Sequence, residues 1–363
     1  MIDSVTLEDL NYLINIDFID WEKLRNSSIL VTGATGQIGS EIVKLLLFLN
    51  DKRNLNIKVI ALIRNIEKAK SIFKDFLPVN CHCEPSLDGV AIPKNKYIKF
   101  FCQDITEPIN ISDSVDYIIH TANSTTSKGF ITKPVETIDS IYTGTKNILN
   151  FAKSKSVKSM VYLSSMEVYG TPNDEKKIFE TDIGLLDSNL VRNSYPIGKL
   201  VAENLCVSEF SEYNLPVKIV RLTQTVGGVI SPTDNRVWAD FVRKASKGEN
   251  IVLHTKGETK HCYLYITDAV SAIFSILLKG ENGQIYNAAN EDSYCSIFEM
   301  AETVASLSKN KKTKIVFEFL DDSVTGYQAV KKINLSSEKL QQLGWKPSVD
   351  LKTSFEKMIK VQL

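Results

Sequence analysis

The chain has 363 residues, enough for one large domain or two closely joined domains with a sizeable core. Its 43 basic and 43 acidic residues cancel, so no net field favours nucleic acid or an anionic membrane. No apolar run reaches the length of a membrane span, and the first residues lack the basic and apolar regions of a signal peptide. We therefore expect a cytoplasmic protein with neither a nucleic-acid nor a membrane partner.

The cysteines give little sign of a metal site. Six are scattered along the chain, and Cys81, His82 and Cys83 form the one cluster of ligand-type residues. A closed zinc site needs a fourth ligand and usually a second paired motif, and neither is evident in the sequence. We expect reduced thiols in a surface loop and no metal.

Residues 1–27 carry a helical pattern that ends near Trp21 and form an N-terminal extension. From Ser28 onwards, apolar β-rich runs alternate with amphipathic helices, which is typical of a doubly wound parallel sheet. The segment 78–95 is rich in Pro, Asn and Cys and indicates a loop insertion. The predicted strands are Ile29–Thr32, Lys58–Ile63, Ile98–Cys102, Tyr117–His120, Met160–Ser164 and Val217–Arg221, with helices over Ile38–Leu49, Val135–Lys153 and Tyr195–Tyr213.

After residue 227 the elements become shorter and more mixed, which indicates a smaller lobe that faces the substrate. The fold class is therefore α/β, with a Rossmann-type doubly wound parallel sheet over residues 28–226 and a smaller C-terminal α/β lobe over residues 227–363. In this lobe we expect helices at Arg236–Lys247 and Asp268–Leu278 and strands at Ile251–His254, Cys262–Ile266 and Gln284–Ala288.

Three glycines follow the first predicted strand and open a helix. At such a turn, free N–H groups and the helix dipole face an anion. The second glycine lets a pyrophosphate approach the backbone, and the third lets the helix pack closely on the sheet. The turn therefore predicts a bound dinucleotide, lined here by Gly33, Thr35, Gly36, Gln37, Ile38 and Gly39.

The second strand ends at Arg64, where an acidic residue would bind the ribose hydroxyls of NAD. A guanidinium suits a 2′-phosphate, so Arg64 slightly favours NADP over NAD, and a solvated arginine is an equal alternative. Asp104 is placed to accept a hydrogen bond from the adenine amino group. Further cofactor contacts are expected at the ends of the later strands, from Asp104, Ile105, Thr121, Ala122, Asn123 and Ser164.

Tyr195 and Lys199 are four residues apart on a predicted helix and share one face. The ammonium group would lower the pKa of the phenol, which makes Tyr195 an acid/base near neutral pH. Ser165 would align the substrate hydroxyl with Tyr195. Since such a pair is common, its catalytic interpretation depends on the glycine turn that precedes it. We expect Tyr195, Lys199, Ser165 and Glu167 to be catalytic, with Tyr195 and Lys199 also contacting the cofactor.

Together these motifs resemble the extended short-chain dehydrogenase/reductase family, in its NAD-dependent epimerase/dehydratase branch acting on nucleotide sugars. The resemblance covers about Ser28–Leu278 and implies a nicotinamide that takes a hydride, usually from C4 of the sugar. It also implies that Lys199 orients the cofactor ribose, and that a homodimer forms through the helices at Val135–Lys153 and Tyr195–Tyr213. The matching residues are Thr32–Gly39, Asp104, His120, Ala122, Ser164, Ser165, Val168–Gly170, Tyr195, Lys199, Arg221, Tyr265–Asp268, Tyr286 and Asn287.

The pair Met166-Glu167 bears on which reaction the resemblance implies. Family dehydratases resemble Asp-Glu at this place, decarboxylases and one group of dehydratases resemble Ser-Glu, and simple 4-epimerases usually lack the Glu. A carboxylate beside a 4-ketone can remove an α-proton, although Glu167 as a hydrogen-bond partner of a sugar hydroxyl is nearly as good an interpretation. We expect a dehydratase- or decarboxylase-type reaction. The alternatives are a nucleotide-sugar 4-epimerase, an NADPH-dependent keto-sugar reductase and a non-catalytic dinucleotide-binding regulator.

Two departures from the family pattern concern the substrate. His261 stands where the family usually has an arginine, which in decarboxylases is implicated in chemistry, so the change weakens that option. A protonated His261 beside Lys260 would still hold a phosphate. Gln224 replaces a usual asparagine. The residues expected to contact a nucleotide-sugar substrate are Thr125, Ser165, Met166, Glu167, Gln224, Arg236 and His261.

Overall fold

A computed structural model describes residues 2–77, 90–91, 97–123, 127–172, 174–182, 184–230, 234–309, 312–319 and 330–362. Its helices are α1 (Ser4–Ile14), α2 (Gln37–Arg53), α3 (Ile66–Phe73), α4 (Ser127–Thr132), α5 (Pro134–Lys155), α6 (Ser194–Tyr213), α7 (Val237–Lys247), α8 (Ile266–Lys279), α9 (Ile297–Ser306), α10 (Glu338–Gln341) and α11 (Leu351–Gln362). Its strands are β1 (Ser28–Thr32), β2 (Lys58–Ile63), β3 (Val90–Ala91), β4 (Ile98–Cys102), β5 (Tyr117–His120), β6 (Ser159–Ser165), β7 (Lys177–Ile178), β8 (Val217–Leu222), β9 (Gln224–Val226), β10 (Ile251–Leu253), β11 (Lys260–Tyr265), β12 (Ile285–Ala288), β13 (Asn290–Ser296), β14 (Ile315–Phe317) and β15 (Lys332–Leu335).

The main sheet has seven parallel strands in the order β12-β8-β6-β5-β1-β2-β4, and the short β3 runs antiparallel at its edge. Its strands are nearly continuous runs of apolar residues because helices cover both faces. Helices α2 and α8 pack on one face and α5 and α6 on the other. The predicted Rossmann-type doubly wound sheet is confirmed.

A second sheet, in the order β13-β11-β15-β7, forms the smaller lobe, and β9 pairs with β11 beside it. Helices α7, α9 and α11 bury a separate apolar core there. Strands cross between the two sheets: β12 follows residue 227 but pairs with β8, whereas β7 precedes residue 227 but pairs with β15. Around the predicted boundary at residue 227, the position of a strand in the sequence therefore does not decide which sheet it joins.

The N-terminal extension packs on the main body. Helix α1 begins at an Asp3 cap and ends at Ile14, and a separate 3₁₀ turn covers Trp21–Leu24. No helix in the described ranges is long and apolar enough to cross a bilayer. Those ranges also hold no group of three His, Cys, Asp or Glu residues suited to a metal. Cys81–Cys83 and most of the expected loop insertion lie outside the described residues.

Candidate active site

The glycine turn between β1 and α2 has the shape expected of an anion cradle. Gly33 has a φ of +63°, and a Cβ there would lie 2.8 Å from both the Thr121 Oγ1 and the Ala122 Cα. A Cβ at Gly39 would overlap the carbonyl oxygen of Gly33. Gly36 caps α2 with an extended backbone, which leaves the first N–H groups of the helix without intrahelical partners. The turn therefore requires glycine at both Gly33 and Gly39.

The end of β5 closes one side of this cradle. Thr121 donates a hydrogen bond to the Thr32 carbonyl at 2.7 Å, and the Ala122 N–H donates to the Thr32 hydroxyl at 3.2 Å. That hydroxyl also lies 2.7 Å from His120 Nδ1. Burial, with Lys199 adding to the effect, lowers the pKa of His120 to about 3, so its ring is neutral at physiological pH. His120 is thus a neutral support for the turn.

Asn123 is the residue that points most directly to a ligand. Both polar atoms of its side chain are buried and have no hydrogen-bond partner among the described residues. Leaving a buried amide unpaired costs about 1–3 kcal/mol, so this side chain is suited to a bound polar group. Together with the glycine cradle, it fits a dinucleotide.

The adenosine end of the site is exposed. The Arg64 side chain is 79% exposed, and its Nη1 lies 3.9 Å from Asp104 Oδ2. Asp104 accepts hydrogen bonds from the Thr106 N–H and hydroxyl, which lower the pKa of its carboxyl. Ile105 contacts Gly144 of α5, where a Cβ would lie 2.9 Å from its Cγ2. Asp104 therefore shapes its own turn as well as facing Arg64.

The predicted catalytic hydroxyls come together at the ends of β6 and α6. Tyr195 is 6% exposed, and the Ser165 side chain lies near its phenol. The ring of Phe130, from α4, stacks on the Tyr195 ring with centroids 4.3 Å apart and planes 13° apart. The Ser194 hydroxyl donates to the Phe130 carbonyl at 3.0 Å, which joins α4 to α6. The orientation of Tyr195 is therefore held on two sides.

Lys199 lies deeper than the sequence suggested. It is 2% exposed and donates to the Leu163 carbonyl at 2.6 Å, with its ammonium 5.7 Å from the Tyr195 ring centroid. The expected lowering of the phenol pKa by Lys199 is not found. Burial raises the pKa of Tyr195 above its ordinary value, and the nearby Ser165 side chain opposes that rise. Burial instead lowers the pKa of Lys199 to about 7, so this amine can exchange a proton near neutral pH.

Because the amine of Lys199 is buried, we expect Lys199→Met to stabilise the fold. The pKa of Lys199 falls from 10.5, its value in an unfolded chain, to about 7 in the folded protein. The lowered pKa means that Lys199 reduces the free energy of unfolding by its full amount below about pH 7, and this loss of stability disappears as the pH rises to 10.5. We expect thermal denaturation to give a Tm about 3 °C higher for the variant at pH 7 and a smaller difference at pH 9. The exposed Lys256→Met is the control and should match wild type at both pH values, whereas a gap that widens with pH would contradict the argument.

Glu167 lies in a group of charges. It stands on the 3₁₀ turn Met166–Tyr169, and its N–H donates to the Ser165 hydroxyl at 3.3 Å. Its Oε2 is 3.3 Å from Lys331 Nζ and 3.9 Å from Arg192 Nη2. Burial acts to raise the pKa of Glu167, but Lys331 and Arg192 outweigh it and lower the pKa, so the carboxylate is ionised at neutral pH. Two cations and one carboxylate thus lie beside the predicted catalytic hydroxyls.

Two expected substrate contacts look different in the structure. His261 is 8% exposed, and burial lowers its pKa to about 4, so the expected imidazolium for a phosphate is replaced by a neutral ring. Its Nδ1 is buried with no partner among the described residues, while Lys260 pairs with Glu175 at 3.3 Å. Met166 is 2% exposed and belongs to an apolar cluster, so its side chain lies in the core and not at open surface.

Ser164 and Arg221 belong to a buried network beneath the site. The Ser164 hydroxyl hydrogen-bonds to Glu203 and so points away from the expected cofactor contact. Arg221 binds Glu203 through Nε at 3.0 Å and Nη2 at 2.7 Å, and it also donates to the Tyr169 hydroxyl at 2.8 Å. The Arg221 motif therefore supports the backbone behind Ser165.

The remaining predicted residues lie around this centre. Gln37 reaches across to the Gly227 carbonyl at 2.9 Å, and Ile38 packs between two apolar clusters. Gln224 is half-buried on β9, and Thr35 is half-buried in the glycine turn. Arg236 pairs with Asp234 and lies 4.4 Å from the Trp238 ring, so its guanidinium already has partners within the chain. Thr125 lies outside the described residues.

Three residues of the site were not predicted. Arg192 lies three residues before Tyr195, on the 3₁₀ turn Val191–Asn193 that precedes α6, so its proximity to the predicted catalytic tyrosine could have been inferred from their spacing. Phe130 follows the polar end of β5 and carries no such signal. Lys331 is 164 residues from Glu167, and nothing in the local pattern connects the two.

Comparison with known proteins bears directly on this arrangement. The model of the NAD dependent epimerase/dehydratase family matches residues 29–289. The chain belongs to this family. The enzyme class inferred from the glycine turn, Ser165, Tyr195 and Lys199 is therefore confirmed.

Two relatives are named as decarboxylases. UDP-glucuronic acid decarboxylase 6 of Arabidopsis thaliana is 29% identical over 328 residues, which are 90% of this chain and 86% of that protein. UDP-N-acetyl-alpha-D-glucosaminuronate decarboxylase of Bacillus cytotoxicus is 29% identical over 297 residues, 80% of this chain and 83% of that protein. The similarity thus extends beyond the nucleotide-binding half.

Solved structures agree on the fold. The structure of UDP-glucose 4-epimerase of Thermotoga maritima with UDP-glucose superposes with a TM-score of 0.72 at 20% identity. The superposition covers 92% of this chain and 98% of that one. dTDP-glucose 4,6-dehydratase of Bacillus anthracis, with NAD, has a TM-score of 0.69 at 20% identity and covers 93% and 96%. At this level of identity the likeness concerns the fold.

Proposed function

We propose that this protein decarboxylates a nucleotide-activated sugar acid through transient oxidation at C4. The single observation that carries the proposal is the pair of cations, Arg192 and Lys331, which lie beside Glu167 and next to Tyr195 and Ser165. The names of the decarboxylase relatives support the same class of substrate. The broader class is a dehydratase- or decarboxylase-type reaction on a nucleotide sugar.

The residues present fit a nicotinamide dinucleotide. Gly33, Gly36 and Gly39 leave the backbone open at the start of α2, and the unpaired amide of Asn123 lies beside them. When bound, the dinucleotide supplies a hydride acceptor for C4 and later a hydride donor. Lys199 is suited to hold its ribose.

The chain's own residues would handle the protons. Tyr195 takes the proton of the C4 hydroxyl as the phenol passes its own proton to the neutral form of the Lys199 amine, and Ser165 aligns that hydroxyl beside the phenol. In the resulting 4-keto acid the C5–C6 bond breaks and carbon dioxide leaves. The electron pair moves to the ketone oxygen, where the Ser165 and Tyr195 hydroxyls stabilise the enolate. A proton then adds to C5.

Loss of carbon dioxide suits this site better than loss of water. Elimination of a hydroxyl group needs an acid to protonate it, and Met166, where dehydratases resemble Asp, is apolar and buried. A carboxylate needs cations instead. Arg192 supplies one, because its Nη1 is buried with no partner among the described residues, and Lys331 supplies another. Decarboxylation therefore uses the groups that the site contains.

The finer predictions about cofactor, assembly and location remain predictions. A preference for NADP would depend on Arg64, whose exposed guanidinium has Asp104 as a competing anion. A homodimer is supported by exposed apolar side chains on one face of α5, at Val135, Ile138 and Tyr142.

The proposal is tested by mass spectrometry of the products from a panel of nucleotide sugars with NAD⁺. We expect the uronic acids, such as UDP-glucuronic acid, to lose carbon dioxide and the neutral sugars to be unchanged. Arg192→Gln should raise the KM for the acid at least about tenfold, since a charge-assisted hydrogen bond contributes about 1.5–3 kcal/mol. The exposed Arg25→Gln is the matched control. Loss of water from a neutral sugar, or products isomeric with their substrates, would overturn the proposal.

A further inference from the structure

Helix α1 lies before the family match, which begins at residue 29, yet it is firmly attached to the body. Leu10 and Leu13 are at most 2% exposed and join the core of the main sheet. The Trp21 Nε1 donates to the Leu13 carbonyl at 3.2 Å, and Arg53 of α2 donates to the Ile14 carbonyl. This attachment gives the extension a fixed position above α2 and α8.

One buried carboxylate of α1 connects it to two other elements. Asp9 is 7% exposed. Its Oδ2 accepts a hydrogen bond from the Tyr265 hydroxyl at 2.7 Å, and its Oδ1 accepts one from Lys357 Nζ at 2.7 Å. Tyr265 is the last residue of β11, and Lys357 is on α11. Lys357 also pairs with the more exposed Glu8 at 2.7 Å, so it keeps an anionic partner apart from Asp9.

The Tyr265 ring in turn lies against Gly227, the residue that follows β9. Gly227 has a φ of +119°, and a Cβ there would lie 2.8 Å from the Tyr265 Cε2. The carbonyl of Gly227 accepts the hydrogen bond from Gln37 at 2.9 Å. Gln37 is the first residue of α2, whose free N–H groups face the proposed pyrophosphate. Contacts therefore run without a gap from Asp9 through Tyr265 and Gly227 to Gln37.

We propose that Asp9 is a positioning residue for the dinucleotide site. It holds Tyr265 in place against Gly227, and Gly227 holds Gln37 and the first turn of α2. Loss of the Asp9–Tyr265 hydrogen bond is costly because both groups are buried. Without this bond the Tyr265 ring is held less firmly, so the Gly227 backbone and Gln37 can move together. This inference rests on the proposed dinucleotide binding and assigns a role in it to the N-terminal extension.

The test measures the Kd for NAD⁺ and the Tm of the full-length protein without ligand. We expect Asp9→Leu and Tyr265→Phe each to raise the Kd about tenfold, because both remove the same hydrogen bond. Asp9→Asn should show a smaller effect, since its amide oxygen still accepts from Tyr265. Lys357→Met is the matched control: it breaks the other contact of Asp9 and lowers the Tm, but it should leave the Kd within about twofold.

The outcomes separate this inference from the function on which it rests. A wild type that binds neither NAD⁺ nor NADP⁺ overturns the proposed function and this inference with it. If the wild type, Tyr265→Phe and Asp9→Leu all bind NAD⁺ with the same Kd while the Tm of the two variants falls, the contact is purely structural. That result overturns this inference alone. Should Asp9→Leu fail to fold, Tyr265→Phe decides, because it removes only the hydroxyl and therefore disturbs folding least.

Discussion

Replacing Tyr195 by phenylalanine is expected to lower kcat about 10³-fold while the Kd for the dinucleotide and the Tm stay close to wild type. The phenol hydroxyl is the group that takes the substrate proton, and the Ser165 side chain beside it then lacks its partner in aligning the substrate. The aromatic ring remains, so the stack with Phe130 at 4.3 Å is kept and the fold is little disturbed. Initial-rate kinetics on the substrate found in the product panel, with NAD⁺ titration, measure both quantities.

The control for this variant is Tyr213→Phe. Tyr213 stands at the other end of the same helix α6, is 55% exposed and is far from the hydroxyl pair in sequence. Its replacement should leave kcat unchanged. A Tyr195→Phe protein that retains more than about a tenth of the wild-type kcat would sink the acid/base assignment.

The largest effect on stability is expected from Glu203→Gln. The Glu203 and Arg221 side chains are 4% and 6% exposed, and Glu203 accepts two or more hydrogen bonds from the guanidinium. Removing the carboxylate charge leaves a buried guanidinium without its counter-ion, which costs about 3–5 kcal/mol in comparable pairs. We expect the free energy of unfolding, measured by urea denaturation, to fall by about 3 kcal/mol.

An exposed ion pair supplies the comparison. In the Arg25–Glu22 pair the side chains are 43% and 56% exposed, so Glu22→Gln should change the free energy of unfolding by less than about 1 kcal/mol. The double variant Glu203→Leu, Arg221→Leu should recover much of the loss, since no buried charge then lacks a partner. Equal effects of Glu203→Gln and Glu22→Gln would contradict the importance given to the buried network.

Local patterns were sufficient for the fold and for the glycine turn. The alternation of apolar strands and helices predicted the doubly wound sheet, because burial on both faces leaves a signal in each strand. The glycines predicted the turn, since only a residue without Cβ fits at Gly33 and Gly39. Short strands such as β7 and β15 were not predicted, because two to four residues carry too little pattern.

The charge state of the site depended on burial, which no motif shows. His261 was expected to be cationic, but its buried position lowers the pKa to about 4. Lys199 was expected to lower the pKa of Tyr195, but burial raises that pKa and lowers the pKa of Lys199 itself. The sign of each shift follows from desolvation of the charged form, which is a property of the packed protein.

The sequence by itself determined the family and the glycine cradle, because their motifs are short runs of neighbouring residues, and it predicted Tyr195 and Ser165 as a catalytic pair. Only the tertiary structure brought Lys331 to Glu167 across 164 residues and connected Asp9 to Tyr265 across 256. Such contacts form where separate elements pack, so their energy depends on distances and burial that a one-dimensional pattern does not contain.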